Sequence, residues 1–359
     1  MKHKHTPIAI YGAQMVAVRV YFALKRLYPE VKVLAFLVSS REGNPSSIDG
    51  IPVMEFKDFN QKDMRILVAA PDVYHEEIVA GLQERTFTNY QCIDSKAEAE
   101  LLKAFYAKEG RFLPLASCPA KTTEKATSSS AHSNIAVYMS KFYKDRSLKN
   151  KYKLPCWVYP IQAGAALTEN RIADLQDNEG GNISIKNPNY SELTASYWVG
   201  KHGTADYLGL YHYRRILDVT EEDLRRIQAN DIDVILPYPS IHCPNIQEHH
   251  RRYLKDADWE AMLLALGELE PSYREAMPKL FEAQYFYNFN ILIARKEIYR
   301  QYCDWLFPIL ARTEELSEPK GSERRDRYIG YLGESLTTLF FLYHEKDFTI
   351  AHTGCLMLI

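Results

Sequence analysis

Residues 8 to about 110 alternate short apolar runs with segments whose apolar positions recur every three or four residues. The runs are IAIYG from Ile8, VKVLAFLVS from Val31, RILVAA from Arg65 and YQCID from Tyr90. Between and after them, residues 13–28, 72–84 and 96–108 carry helical spacing. Buried strands that alternate with amphipathic helices predict a small parallel sheet of Rossmann type. From Arg111 to Ser133 the periodicity dissolves, and CPAKTTEKATSSSAHS offers nothing to bury, so a linker is predicted. Apolar runs resume at NIAVYMS. The predicted organisation is an α/β chain with a Rossmann-like domain over 1–110, a linker over 111–132 and a second domain over 133–359.

The second domain is organised around DYLGLYHYRRIL, from Asp206 to Leu217. Tyr207 to Tyr211 are apolar or aromatic without alternation, which predicts a strand covered on both faces in the middle of a parallel sheet. The pattern then changes abruptly to His212, Tyr213, Arg214 and Arg215. Ligand crevices in open α/β sheets lie beyond the carboxyl ends of the strands. Two adjacent guanidinium groups there suit a diphosphate, which each can grip bidentately; without a ligand they would be a solvated turn. Upstream, Asp177 to Tyr190 is rich in turn formers and predicts a loop carrying Asn182, Ser184, Lys186, Asn187 and Asn189, read as a binding loop. A helix over 192–201 follows, with Ser191 as its N-cap. Thr220 and Asp223 form a capping box for the next helix. Further helices are predicted at 258–269, stopping near Pro271, in the segment after NILIA, and in DRYIGYLGESLTTLFFLYHE, before a last strand in FTIAHTGCLMLI.

Composition narrows the classes. The 44 basic and 46 acidic residues nearly cancel, so no broad nucleic-acid footprint exists. Six cysteines stand without paired spacing and read as thiols in a reducing compartment. No apolar run reaches the roughly 20 residues of a membrane span, and the N-terminus lacks a signal-peptide core; a cytoplasmic location is expected. In the first domain, Gly12 stands alone where a dinucleotide fingerprint has three glycines, and Ser39 and Ser40 follow the second strand where an acid would take a ribose hydroxyl. Both count against NAD. A helix start at Gly12 could still hold an anion or a sugar nucleotide, or serve structure alone. Asp231 and Asp233 form a literal D-x-D, but at the amino end of a strand, and read as turn acids. His242, Cys243, His249 and His250 are of zinc-ligand type in no common spacing, and read as solvated side chains.

Taken together, DNEGGNISIKNPNYSELTASYWVGK, DYLGLYHYRRIL, DVILPYP, HHRRYLKDADW, NFNILIARKEIYRQYCDWLFPIL and YIGYLGESLTTLFF resemble a bacterial family of capsular and exopolysaccharide glycosyltransferases, long catalogued as a domain of unknown function. The resemblance covers about the last two-thirds of the chain and implies a GT-A-like second domain. It also implies transfer of a hexose, galactose or galactofuranose in some members, from a UDP-sugar to a glycan or lipid-linked glycan acceptor in capsular, exopolysaccharide or O-antigen synthesis. Peripheral association with the inner membrane face would follow from a lipid-linked acceptor. Glycogenin-like GT-A enzymes carry Y-L-D-x-D on the central strand; here His212, Arg214 and Arg215 replace those carboxylates. The expectation is that guanidinium groups, with a histidinium beside them, stabilise the departing diphosphate, and that no metal sits at a D-x-D. Glu334 is the first candidate base, Glu192 the second and Asp218 the third; each could instead be a helix-terminus or turn acid. Expected donor contacts are His212, Tyr213, Arg214, Arg215, Asn182, Lys186, Asn187, Tyr190, Asn288 and Asn290. Expected acceptor contacts are His249 and His250. Two other readings are a non-catalytic regulatory protein binding nucleotide sugars and an NAD(P)-linked sugar epimerase or reductase.

Overall fold

The computed structural model describes residues 7–119, 134–242, 245–251 and 253–359, and of residues 249 and 250 the backbone alone. The first sheet is built from β1 (Ile8–Tyr11), β2 (Val33–Val38), β3 (Ser47–Ile48), β4 (Ile51–Glu55), β5 (Arg65–Val68) and β6 (Tyr90–Cys92), in the order β3-β4-β2-β1-β5-β6. All its pairings are parallel except the β3–β4 hairpin. Helices α1 (Met15–Leu27), α2 (His75–Glu84) and α3 (Ser95–Glu109) connect the strands. The central strands β1, β2 and β5 are short and apolar because both their faces are covered, as the chain pattern predicts.

Gly12 sits at the turn from β1 into α1 with φ of +127°, and a Cβ there would stand 2.4 Å from the Ala69 carbonyl oxygen. Both the backbone conformation and the close approach of β5 demand glycine. Gly12→Ala is expected to cost about 2–4 kcal/mol of stability by chemical denaturation; a loss below about 0.5 kcal/mol would contradict the strain.

The second half contributes β7 (Ile135–Lys141), β8 (Val158–Gln162), β9 (Leu175–Gln176), α4 (Asn187–Tyr190), α5 (Leu193–His202), β10 (Tyr207–His212) and β11 (Arg215–Leu217). Then follow α6 (Glu221–Ala229), β12 (Val234–Pro237), β13 (Ser240–Ile241), α7 (Ile246–His250), α8 (Asp256–Leu269) and α9 (Pro271–Phe281). The chain ends through β14 (Tyr285–Phe286), β15 (Leu292–Arg295), α10 (Lys296–Leu316), α11 (Tyr328–Tyr343), β16 (Ile350–Thr353) and β17 (Cys355–Met357). The main sheet runs β16-β12-β15-β10-β7-β8-β9, with β11 bridging β10 and β17. It is mixed: β10 is parallel to β7 but antiparallel to β15. An apolar run reports burial on both faces and is silent on the direction of a neighbour.

Other elements also depart from the pattern. Pro271 opens α9 at its first position, where a missing N–H costs nothing, so it separates two helices without ending the helical region. Ser191 is not an N-cap: its φ is 52°, and α5 is entered through Glu192 without a side-chain cap. The Thr220–Asp223 capping box is present. The C-terminal apolar run makes two strands.

The two sheets share a core. Ala23, Leu102, Phe105 and Tyr106, on α1 and α3, belong to the same apolar cluster as Leu208, Val234 and Phe340. The Tyr106 hydroxyl donates to the Pro239 carbonyl at 2.7 Å, and the Met357 amide donates to Ser95 Oγ at 3.0 Å. Residues 111–119, expected to begin a linker, are packed instead: Leu115 is fully buried, Arg111 pairs with Glu345 at 3.0 Å, and Pro114 bridges His352. The remainder of the expected linker, 120–132, lies outside the described residues.

Candidate active site

A cleft of about 1290 Å³ opens where the carboxyl ends of β1, β2 and β5 face those of β7, β8 and β10. His212 pairs with Arg215 across a two-residue turn, so the basic motif is the tip of a tight β10–β11 hairpin at the cleft wall. The Leu358 amide donates to the Arg214 carbonyl at 2.9 Å and fixes that tip. The Arg215 guanidinium lies 4.2 Å from the Phe289 ring centroid, and that of Arg214 lies 5.5 Å from the Tyr213 ring. Arg325 and Arg327, just before α11, also line the cleft. Among the described residues none of these four arginines makes an ion pair within 4 Å. The buried atoms His212 Nδ1 and Arg214 Nε have no hydrogen-bond partner there either. Buried polar groups are normally satisfied, so this wall is built to receive something.

His212 is not a histidinium. Burial, and then the positive charges of Arg215, Arg214 and Arg327, push its pKa down to about 3, so it stays neutral at working pH. Burial likewise holds Arg215 below the ordinary guanidinium range, and Arg214 adds like-charge repulsion.

Adjoining this wall, and from the same half of the chain, are two carboxyl groups. Glu334 lies in the second turn of α11, beyond the first-turn position where a helix dipole would account for it. Burial and then the charge of Glu192 push its pKa up to about 8, opposed by the Phe289 amide, Arg215 and the Asn288 side chain. Glu192 Oε1 accepts from Asn290 Nδ2 at 2.8 Å, and the same amide donates to the Gly330 carbonyl at 3.2 Å. The two acids meet because α11 comes close to α5: a Cβ on Gly333 would stand 2.5 Å from Leu193 Cδ1. Four of the non-glycine residues with positive φ cluster here: Ser191 (52°), Phe289 (75°), Asn290 (51°) and Arg327 (65°). Such strain persists where the surroundings over-determine it and concentrates at functional sites.

The other expected residues divide. Tyr213 and Asn288 line the cleft. Asn187 lines it too, but its Nδ2 is committed to the Ser191 carbonyl at 2.8 Å and Thr194 Oγ1 at 3.2 Å. Asn290 stands behind Glu192 and positions it. Asn182, Lys186 and Tyr190 lie outside the lining. Asn182 closes its own loop onto Asn178 and Gly180, and Lys186 and the buried Tyr190 both bond Glu314. The loop from Asp177 is polar because its side chains pin it to itself and to the turn after β8: Asp177 accepts from the Gly164 and Ala165 amides and the Ser184 hydroxyl. Asp218 is also outside, in a separate small depression beside Lys103 and Thr353, because β11 carries the chain back from the hairpin tip. The side chains of His249 and His250 lie outside the described residues. Asp233 and Asp231 are paired with Arg295, at 2.8 and 3.5 Å, and hold the entry to β12 as turn acids. Sequence reasoning missed Arg325 and Arg327, and also Asp145, which follows β7 and lines the cleft. Only the basic run before α11 and the acid after β7 signalled them.

A GT-A fold raises the question of a divalent cation. The end of β10 presents a neutral imidazole and two cations, a donor set that repels a metal. Among the described residues no group of three or more His, Cys, Asp or Glu is placed to hold one. Among those residues no helix is long and apolar enough to cross a membrane.

Fold and cleft together define an α/β protein in which a Rossmann-like sheet precedes a GT-A-like, glycosyltransferase-type domain. The chain belongs to the family described as domain of unknown function (DUF4422), whose profile matches residues 147–346. Among solved structures it is similar to the WbbM bifunctional glycosyltransferase in apo form, at 26% identity and a TM-score of 0.54 over 63% of this chain. The match spans 45% of that protein's length. Core-mannan synthase A (CmsA/Ktr4) from Aspergillus fumigatus, in its Mn/GDP form, matches at 10% identity and a TM-score of 0.24 over 62% of this chain and 74% of its own, too low to argue from. No curated protein matches.

Proposed function

We propose that the protein is a glycosyltransferase that moves a hexose from a UDP-sugar to a glycan acceptor, with guanidinium groups in place of a metal at the diphosphate. The observation that carries this reading is one cleft in which arginines at a strand's carboxyl end, without an ion pair among the described residues, adjoin a carboxyl pair, Glu192 buried and Glu334 half-buried. The diphosphate binds Arg214 and Arg215, with Arg325 and Arg327 completing a cationic collar. Tyr253 and Tyr331, stacked at 5.1 Å on the cleft wall, offer an aromatic face to uracil or sugar. In an inverting transfer, the Glu334 carboxylate removes the acceptor hydroxyl proton. The freed electron pair forms the bond to the anomeric carbon, and the bond from that carbon to the β-phosphate oxygen breaks. The leaving pair stays on UDP, where the preorganised guanidinium groups stabilise it. Glu192, oriented by Asn290, supplies the charge that keeps Glu334 basic. The family resemblance makes galactose the first donor to test and assembly of a surface polysaccharide the expected setting.

UDP release from UDP-galactose, followed with acceptor fractions of a polysaccharide-producing cell, tests the reading. Activity is expected to survive a chelator unchanged. Loss on chelation with recovery on adding manganese would overturn the metal-free mechanism, and failure to bind UDP at all would overturn the transferase assignment.

A further inference from the structure

The cleft is chemically two-sided. Its cationic side chains, Lys144, Arg214, Arg215, Arg325 and Arg327, all come from the second half of the chain. The part of the lining supplied by the first sheet carries no Lys, Arg or His. Along that edge stand Ser39, Ser40, Glu42, Tyr74 and Glu77. Among the described residues Glu42 and Glu77 make no ion pair within 4 Å. Tyr74 is 52% exposed, and Ser39 Oγ is held by the Tyr11 hydroxyl at 3.0 Å. The edge is fixed against the second half by Lys149, which pairs with Glu76 at 2.7 Å.

On this side a diphosphate finds the α1 N-terminus but no cationic side chain, and the two carboxylates, without an ion pair among the described residues, repel it. A saccharide finds what it needs: carboxylate and hydroxyl oxygens to accept from its hydroxyls, and an aromatic face for its C–H surface. The geometry points to the carboxyl edge of the first sheet as the acceptor subsite, taking a saccharide free of acidic groups. This rests on the transferase reading, since it assigns the acceptor of the same reaction. It makes the first domain half of the active site. Donor and acceptor then enter from opposite walls, and the Glu192–Glu334 pair stands with the donor wall, facing the incoming hydroxyl.

Saturation-transfer NMR on the full chain, with UDP saturating and methyl glycosides of the common neutral hexoses and lactose as probes, tests the assignment. At least one probe is expected to show contact in the native protein. That contact should fall about tenfold or more in Tyr74→Ala and in Glu77→Gln, both at the surface, with UDP affinity held within about twofold. Absence of contact from every probe, or contact unchanged in both variants, overturns the subsite. A native protein that fails to bind UDP would instead overturn the transferase reading.

Discussion

Replacing Arg214 and Arg215 together by alanine is expected to weaken UDP binding by about 10²–10⁴-fold without lowering the melting temperature. Each hydrogen bond to a charged partner contributes about 1.5–3 kcal/mol net, and two arginines lost together set the range. Stability should hold because neither guanidinium makes an ion pair among the described residues, and the half-buried Arg215 stands beside a like charge that it must tolerate. Removing both charges relieves that repulsion, so the melting temperature should stay level or rise. Calorimetric titration with UDP and a thermal melt check the two halves independently. Unchanged affinity would remove the diphosphate from this wall, while a lower melting temperature would give the arginines a structural role. Arg215→Lys separates charge from shape: a point charge cannot reproduce the planar fork, so most of the affinity loss should remain.

Much of this architecture is legible in the sequence, for definite reasons. Strands covered on both faces leave short, unbroken apolar runs, and helices between them leave three- and four-residue spacing; the first sheet follows from that contrast. The hairpin tip was legible because a run from Tyr207 to Tyr211 turns abruptly into His212, Tyr213, Arg214 and Arg215. The antiparallel insertion of β15 next to β10 was not, since hydropathy carries no strand direction. In the loop from Asp177 only Asn187 of the expected contacts reaches the cleft lining, because polar density reads the same whether groups face a ligand or, like Asp177, Asn182, Lys186 and Tyr190, are committed to protein partners. Glu192 and Glu334 lie far apart in the chain, and their meeting depends on how closely Gly333 lets α11 approach Leu193, a tertiary fact. Arg325 and Arg327 sit in a charged loop of the kind most surfaces carry. Only their convergence on the hairpin tip sets them apart.

Glu334→Gln is expected to abolish transfer and to stabilise the protein in a pH-dependent way. A general base contributes about 10²–10⁴-fold, so the residual rate should fall by that much while UDP affinity stays near native. The native rate should climb as pH rises through about 8, where Glu334 loses its proton. The stability effect follows from the same group. Its folded-state pKa lies above the ordinary 4.5, so between those values the folded chain holds a proton that the unfolded chain has released. Native stability therefore declines as pH rises from about 4.5 to 8 and levels off above. Glutamine removes that dependence, and its advantage in urea denaturation should be small near pH 5 and reach about 3–5 kcal/mol above pH 8. An equal effect at both pH values would mean that the carboxyl is already ionised in the folded protein, and the base would have to be sought elsewhere. Glu192→Gln supplies the cross-check. After burial, the charge of Glu192 is the main cause of the raised Glu334 pKa, so removing it should move the rising limb of the pH–rate profile toward acid. A limb that stays in place would show that the two carboxyl groups act apart, leaving burial alone to set the proton affinity of the base.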